Sequence, residues 1–335
     1  TSGLISFSSV DLTVGSSYTS VSNQLVLGNV NTSTITSATS ANRTFTLPDA
    51  SGIAIVDTAT QTLTNKTIID STNTVLGYCK TGNMIIVDIV NGSNVTGTRG
   101  GLPFLTISAA LAVSVAGDEI KVLPGSYTEN SGITIPNNVS IRGSDIQSTS
   151  INATVSSSTT LITMGLNSYI QDITLNLTSS TTGITLVGVL FPSTSSASSR
   201  IRTSIVNVTN TTILAATIYG IQSNGTGQPT FSFQSTRAVS ITTTALTATS
   251  GTVRAIFVNT ANLFFSRDSN FSAIGGGGSS AIGVETTNSS ANLTLQSGSC
   301  KGTTSDYIQT AGIILFSSVN LSVGTVFSSA SNQLV

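Results

Sequence analysis

The sequence predicts an all-β chain wound as a solenoid of stacked short strands, a parallel β-helix. Three observations carry that expectation. The first is composition. Ser and Thr supply 110 of the 335 residues, only 7% are charged, and the net charge is -1. Yet 39% are apolar and the mean hydropathy is positive, so there is enough Val, Ile and Leu to build a core. Thr, Val and Ile are β-branched and suit pleated surfaces. The second is periodicity. Ile256, Ile282 and Ile308 lie 26 residues apart, and each opens a similar passage. Gly183-Ile184 and Gly220-Ile221 fill the same role at longer spacing, as if Ser193–Ser199 and Asn224–Pro229 were inserted loops. A coil of this length holding three short strands stacks inward residues on those of the next coil, about 4.8 Å away. The third is recurrence. Thr1–Val26 and Thr310–Val335 agree at 16 of 26 positions. That suggests a quasi-one-dimensional unit that continues end to end, with no polar cap after Val335.

Along the chain, Thr1–Asn29 reads as a strand-rich coil and Val30–Ala41 as a connector. Phe45–Thr74 reads as short strands with turns at Pro48-Asp49, Ser51-Gly52 and Asn65-Lys66. Residues 1–78 are thus expected to form a fibrous, shaft-like segment, 79–101 a linker that carries the apolar run Met84–Val90, and 102–335 the β-helix. Thr106–Val115 is the one helical pattern. Ile107, Ala110, Leu111 and Ser114 share a face, Thr106 can cap the start, and Gly117 ends it. That helix is placed to cover the first coil. Strands follow at Glu119–Leu123, Ile133–Ile135 and Val139–Arg142, with turns at Pro124-Gly125, Pro136–Asn138 and Gly143-Ser144.

Composition also excludes functions. The chain has no His, so neither a Ser-His-Asp nor a Cys-His arrangement can form. Twelve basic residues are scattered without a run, which argues against nucleic acid. No apolar stretch approaches a membrane span. Cys79 and Cys300 are far apart in sequence and are expected as two unpaired thiols, with a bond between chains as the alternative. No cofactor or metal site is expected. Of 25 asparagines, 15 stand in Asn-x-Ser/Thr, about twice the chance number. Asn94, Asn176 and Asn292 are examples, either glycosylated or simply suited to turns and outward strand positions.

Gly97–Gly143 resembles the N-terminal part of pectin-lyase-like right-handed parallel β-helix proteins. The match rests on the helix, then Gly117-Asp118-Glu119-Ile120-Lys121-Val122, then Pro124-Gly125-Ser126-Tyr127-Thr128-Glu129. Gln24–Gly52 and Thr60–Ile68 resemble repetitive tail-fibre and surface-fibre proteins of phages and large DNA viruses. The second resemblance implies a structural shaft, often trimeric.

The leading expectation is therefore a non-enzymatic subunit of an extracellular or virion-surface fibre. It would self-assemble as a trimer or an end-to-end filament, with contact to a host glycan or receptor. The alternatives are a polysaccharide lyase or hydrolase and a glycan-binding adhesin. Asp145 and Asp172, 27 residues apart with Arg142 nearby, suit a stacked carboxylate dyad, or else a turn and a strand cap. Tyr127, Tyr169, Tyr219 and Tyr307 suit a sugar-binding face, or else the core and coil edges. Gly275–Gly278 reads as a flexible turn. No catalytic residue is assigned.

Overall fold

The computed structural model describes residues 24–27, 33–36, 83–191, 198–223, 233–259, 263–321 and 328–329. The chain divides into two units, residues 1–68 and 69–335. In the first, β1 (Gln24–Leu27) pairs antiparallel with β2 (Ser33–Thr36), so part of the expected connector is strand. The rest of the expected fibrous segment lies outside the described residues. So do most of the first copy of the terminal recurrence and the last residues of the second, and with them the question of an open end.

The second unit is a right-handed parallel β-helix. Its chain order is β3 (Met84–Val87), α1 (Ile107–Val113), β4 (Glu119–Val122), β5 (Gly125–Thr128), β6 (Ile133–Thr134), β7 (Ser140–Arg142), β8 (Thr149–Thr154) and β9 (Thr159–Thr163). Then come β10 (Tyr169–Ser179), β11 (Thr185–Phe191), β12 (Ser198–Asn210), β13 (Ala215–Ser223), β14 (Phe233–Ala245), β15 (Ser250–Val258) and β16 (Leu263–Gly275). The last are β17 (Ser279–Thr286), β18 (Asn292–Gly302), β19 (Ser305–Gln309), β20 (Ile313–Leu321) and β21 (Ser328–Ser329). The first rung is β3, paired in parallel with β4, so the ladder begins inside the stretch expected as a linker.

Three faces wrap the core. Face 1 stacks β3, β4, β7 and the first halves of the long even-numbered strands β10 to β20. Face 2 stacks β5, β8 and the second halves of those same strands. Face 3 stacks β6, β9, β11 and the odd-numbered strands to β21. Each face carries an inward aliphatic column. On face 1 it runs Ile85, Ile120, Ile141, Ile170, Ile201. On face 2 it runs Tyr127, Ile151, Leu175, Val206, Ile241, Phe271, Cys300, Leu321. On face 3 it runs Ile133, Ile162, Val189, Ile221, Ile256, Val284, Tyr307.

The face 3 column corrects the periodicity. Ile256, Ile282 and Ile308 do not share a position. Ile282 stacks on Arg254, Ile308 stacks on Glu285, and Val284 and Tyr307 continue the Ile256 column. Likewise Gly188-Val189, not Gly183-Ile184, matches Gly220-Ile221. Turn length changes from coil to coil, so a constant offset cannot follow the register. The Gly275–Gly278 turn is tight rather than loose. A Cβ on Gly278 would lie 1.6 Å from the Thr249 carbonyl oxygen of the coil beneath, and one on Gly276 2.3 Å from that of Leu246.

Between faces 1 and 2 every long strand turns a corner through one left-handed residue. These are Asp172 (φ 56°), Thr203 (41°), Ala238 (52°), Asp268 (52°), Ser297 (59°) and Ser318 (56°). Each falls out of the ladder, which resumes on either side. A left-handed conformation costs an L-residue about 1–2 kcal/mol. The stack repeats it six times because a sharp bend is needed on every rung.

The start of the solenoid is covered as expected. α1 buries Ile107, Ala110 and Leu111, packs on β3 and β4, and takes its N-cap from the Thr106 hydroxyl, which accepts from the Ala109 N–H. The motif residues explain themselves here. The Glu129 carboxylate, buried, receives the Ser108 N–H and hydroxyl at the first turn of α1. Asp118 is only 2% exposed. It accepts two hydrogen bonds from the Arg99 guanidinium and one from the Val115 N–H. Arg99 is the main reason its carboxyl is held below the usual range, against the opposing effect of burial.

Two outcomes follow. A carboxyl depressed by folding stabilises the fold above its unfolded value near 4 and loses that effect as pH falls through the folded value. Asp118→Asn should therefore cost about 1–3 kcal/mol at pH 7 and much less at pH 2, read as the difference in melting temperature from the unsubstituted chain. Ala238→Gly relieves a left-handed alanine and should stabilise by about 0.5–1 kcal/mol, while Ala273→Gly, in a buried extended strand, should destabilise. Paired melting curves check both signs.

Candidate functional site

The most unusual feature of the surface lies on face 1, immediately before the corner. Parallel register stacks Lys121, Arg142, Gln171, Arg202, Arg237, Arg267 and Gln296 in a single column, one per rung. Arg142, Arg202, Arg237 and Arg267 are exposed. The column two residues earlier carries Glu119, Ser140, Tyr169 and Arg200. Residues two apart on a strand share a face, so both columns look outward together. The scattering of basic residues in sequence is thus undone by the fold.

The corner column completes the site. Asp172 pairs with Arg142 (Oδ2 to Nε, 3.3 Å) and also accepts from Gln171 Nε2 at 2.9 Å. Asp268 pairs with Arg267 at 3.6 Å. Lys121 Nζ donates to the Gly143 carbonyl at 2.8 Å. The Tyr169 hydroxyl donates to Glu119 Oε2 at 3.0 Å. Burial, then Glu119, pushes that phenol above its ordinary value, so it holds its proton at neutral pH. Ser204 and Ser269 bond back through their hydroxyls to the carbonyls of Arg202 and Arg267, fixing the backbone beneath the guanidinium columns.

Like charges directly opposite on neighbouring strands repel and destabilise by a few tenths to 1 kcal/mol per pair. A chain with 7% charged residues nonetheless places nine of its 25 charges on these columns. A local rule broken in one place, with the rest of the fold obeying it, marks a functional surface.

The residues considered from sequence fall out as follows. Asp145 sits in a turn, accepting from the Gln147 N–H and, through its carbonyl, from the Thr149 N–H. Asp172 occupies the corner against Gly143. The two do not stack; the proximity of Arg142 to Asp172 does hold. Tyr127 is buried and donates to the Leu123 carbonyl at 2.9 Å. Tyr307 is buried against Phe316, ring centroids 4.9 Å apart. Tyr219 is half-buried against Phe257 at 5.2 Å. Only Tyr169 stands on the charged face. Sequence reading missed Arg200, Arg202, Arg237 and Arg267; aligning each arginine with the bend two or more residues before a buried Ser or Val would have been the signal.

Elsewhere, Arg254 is 6% exposed, pairs with Glu285, and donates to the carbonyls of Val253 and Ser280, which makes it a staple between rungs of face 3. A cavity of about 440 Å³ beside β6 and β9 is lined by groups such as Asn130, Ser157 and Thr160 and holds no ionisable side chain. Several of the described sequon asparagines are built into the fold. Asn207 Nδ2 donates to Asn176 Oδ1, and Asn176 Nδ2 to Asn152 Oδ1, at 2.9 and 2.8 Å. Asn94 Oδ1 receives the N–H groups of Leu105 and Thr106, and Asn292 keeps its carboxamide oxygen buried. Cys79 lies outside the described residues. Cys300 is a rung of the face 2 core, its thiol donating to the Asp306 carbonyl at 2.9 Å, which rules it out as a link between chains.

No protein-family model and no curated protein matches the sequence. Solved structures do. Pectate lyase Pel9A matches over 77% of this chain and 74% of its own, with a TM-score of 0.49 and 11% identity. Pectin methylesterase PemA from Erwinia chrysanthemi matches over 73% and 80%, with a TM-score of 0.42 and 13% identity. The A-module of mannuronan C-5 epimerase AlgE6 from Azotobacter vinelandii matches over 64% and 74%, with a TM-score of 0.32 and 16% identity. At such identities the likeness is one of fold. A lyase, an esterase and an epimerase are enzymes by name, which runs against the expectation of a non-enzymatic chain. The expected resemblance to viral fibres finds no support among these structures.

Burial raises the Cys300 thiol well above its ordinary value. In a Cys79→Ser variant, a thiol reagent should therefore find no reactive group in the native protein and one after denaturation, which absorbance titration before and after guanidinium reads directly.

Proposed function

We propose that this chain acts on an acidic polysaccharide laid along face 1, with uronate carboxylates held by the arginine column. The column itself carries the reading. Guanidinium groups bind carboxylates with planar, bidentate hydrogen bonds, and rungs about 4.8 Å apart offer a repeating anion a repeating partner. Tyr169 gives the sugar rings an aromatic surface.

The chemistry this face supports best is β-elimination. Arg142 would hold the uronate carboxylate, drawing charge from the adjacent C–H. Asp172, fixed by Arg142 and Gln171, would take that proton. The electron pair left behind forms the carbon–carbon double bond, and the glycosidic C–O bond breaks. The leaving oxygen takes the proton of Tyr169, a phenol that remains protonated at neutral pH. Glu119, which accepts from that hydroxyl, would orient it.

The test is a panel of uronic-acid polymers and neutral glucans, read by unsaturated end groups and by reducing ends. Polyuronate turnover with unsaturated ends is expected. Tyr169→Phe and Asp172→Asn should each lower kcat by about 10²–10⁴-fold. No turnover of any anionic polymer, or full activity in both variants, would remove the reading.

A further inference from the structure

The arginine column is not uniform. On the rung of β10 the corner residue is Asp172, and on that of β16 it is Asp268, and each neutralises an arginine. On the two rungs between them the corner residues are Thr203 and Ala238. Those two rungs carry Arg200, Arg202 and Arg237, all exposed and, among the described residues, without an ion-pair partner. Arg200 and Arg202 lie two apart on β12 and point the same way, and Arg202 stands in register beside Arg237 on β14. Three guanidiniums thus form a triangle whose sides are one rung and one strand repeat, and no acid stands at the corner of either rung that carries them.

We infer that Arg200, Arg202 and Arg237 form a subsite for a tetrahedral oxyanion ester, a sulfate or phosphate monoester borne by the polysaccharide. This rests on the reading of face 1 as a polysaccharide-acting surface. A carboxylate is planar and has two oxygens, which one bidentate guanidinium satisfies. A sulfate or phosphate ester presents three terminal oxygens pointing apart, one for each corner of a three-guanidinium cradle. The flanking pairs, Arg142–Asp172 and Arg267–Asp268, each suit a single planar carboxylate, which exchanges for the aspartate one to one. The unpaired rungs offer three guanidinium forks, more donors than the two oxygens of one carboxylate can accept in plane. Tyr169, the register partner of Arg200, lies under the adjoining sugar.

The experiment uses one uronan oligosaccharide in three forms: sulfated, phosphorylated, and with the ester removed. Calorimetric binding is measured for the unsubstituted chain, the double variant Arg202→Gln/Arg237→Gln, and Arg202→Lys/Arg237→Lys. At least a ten-fold preference for an esterified form is expected, with the favoured arm naming the ester. The Gln pair should abolish the preference while leaving weak binding of the ester-free form. The Lys pair should recover less than half of it, because an ammonium is not a bidentate fork. Equal affinity for the three forms, or a preference that survives in the Gln pair, overturns the inference. If the uronan is cleaved without any ester preference, only the inference falls. If esterified chains bind at the three arginines but no polymer is cleaved, only the proposed activity falls.

Discussion

Everything in the second unit follows from parallel register. Once Ile120 stacks on Ile85 and Ile141 on Ile120, the position of every other residue on that rung is set. A slip of one residue would turn each aliphatic column out to water and each hydroxyl into the core. The buried isoleucines, leucines and valines hold the register, and the outward Ser, Thr and Asn tolerate it because hydroxyls and amides bond to like neighbours. Thr154 to Thr178, at 3.1 Å, and the Asn152–Asn176–Asn207 series are examples. Low charge is thus a consequence of stacking, since an ionised column meets its own kind on both sides.

Against that background the arginine column carries information. Lys121 to Arg267 spans rungs where any neutral polar residue would stack at lower cost. The acids at the corner relieve the repulsion at Arg142 and Arg267 and leave it at Arg202 and Arg237. A purely structural account of the column would distribute acids evenly. The corner geometry matters here because it sets each aspartate beside the column and out of the ladder, Asp268 one residue past Arg267 and Asp172 one residue past Gln171, next to Arg142 of the neighbouring rung. The left-handed bend and the ion pairs are therefore one arrangement.

The fold was legible because its signals are local and additive. The helix was readable from Ile107, Ala110, Leu111 and the Thr106 cap, and the strands from short apolar runs between turn residues. Register was not legible. Spacing by 26 aligned Ile256 with Ile282, whereas the structure aligns Ile256 with Val284 and then Tyr307. The cause is physical. Turn lengths are free to vary at the surface, while the columns are fixed by packing, so identity of spacing and identity of position part company. The site was illegible for the same reason. Arg202, Arg237 and Arg267 are separated by 35 and 30 residues, two different coil lengths, and only the completed ladder brings them side by side. The Asn-x-Thr pattern is compatible with the pleat, since Asn176 and Thr178, two apart on β10, both face outward in register with Asn152 and Thr154.

A solenoid of this kind separates stability from function more cleanly than a globular enzyme does. The core columns on the three faces bear the folding free energy, and substitutions there act on neighbouring rungs only. The charged columns lie entirely outside that core, on one face, within rungs that β3, β4 and α1 hold at one end. Glu119 and Lys121 sit on the same strand as Ile120 and Val122, alternating out and in, so the strand that anchors the helix-covered end also supplies the first members of the charged columns. Loss of the Asp118–Arg99 clamp would for that reason be felt at Glu119 and at the Tyr169 hydroxyl it holds, before it reached the arginines further along.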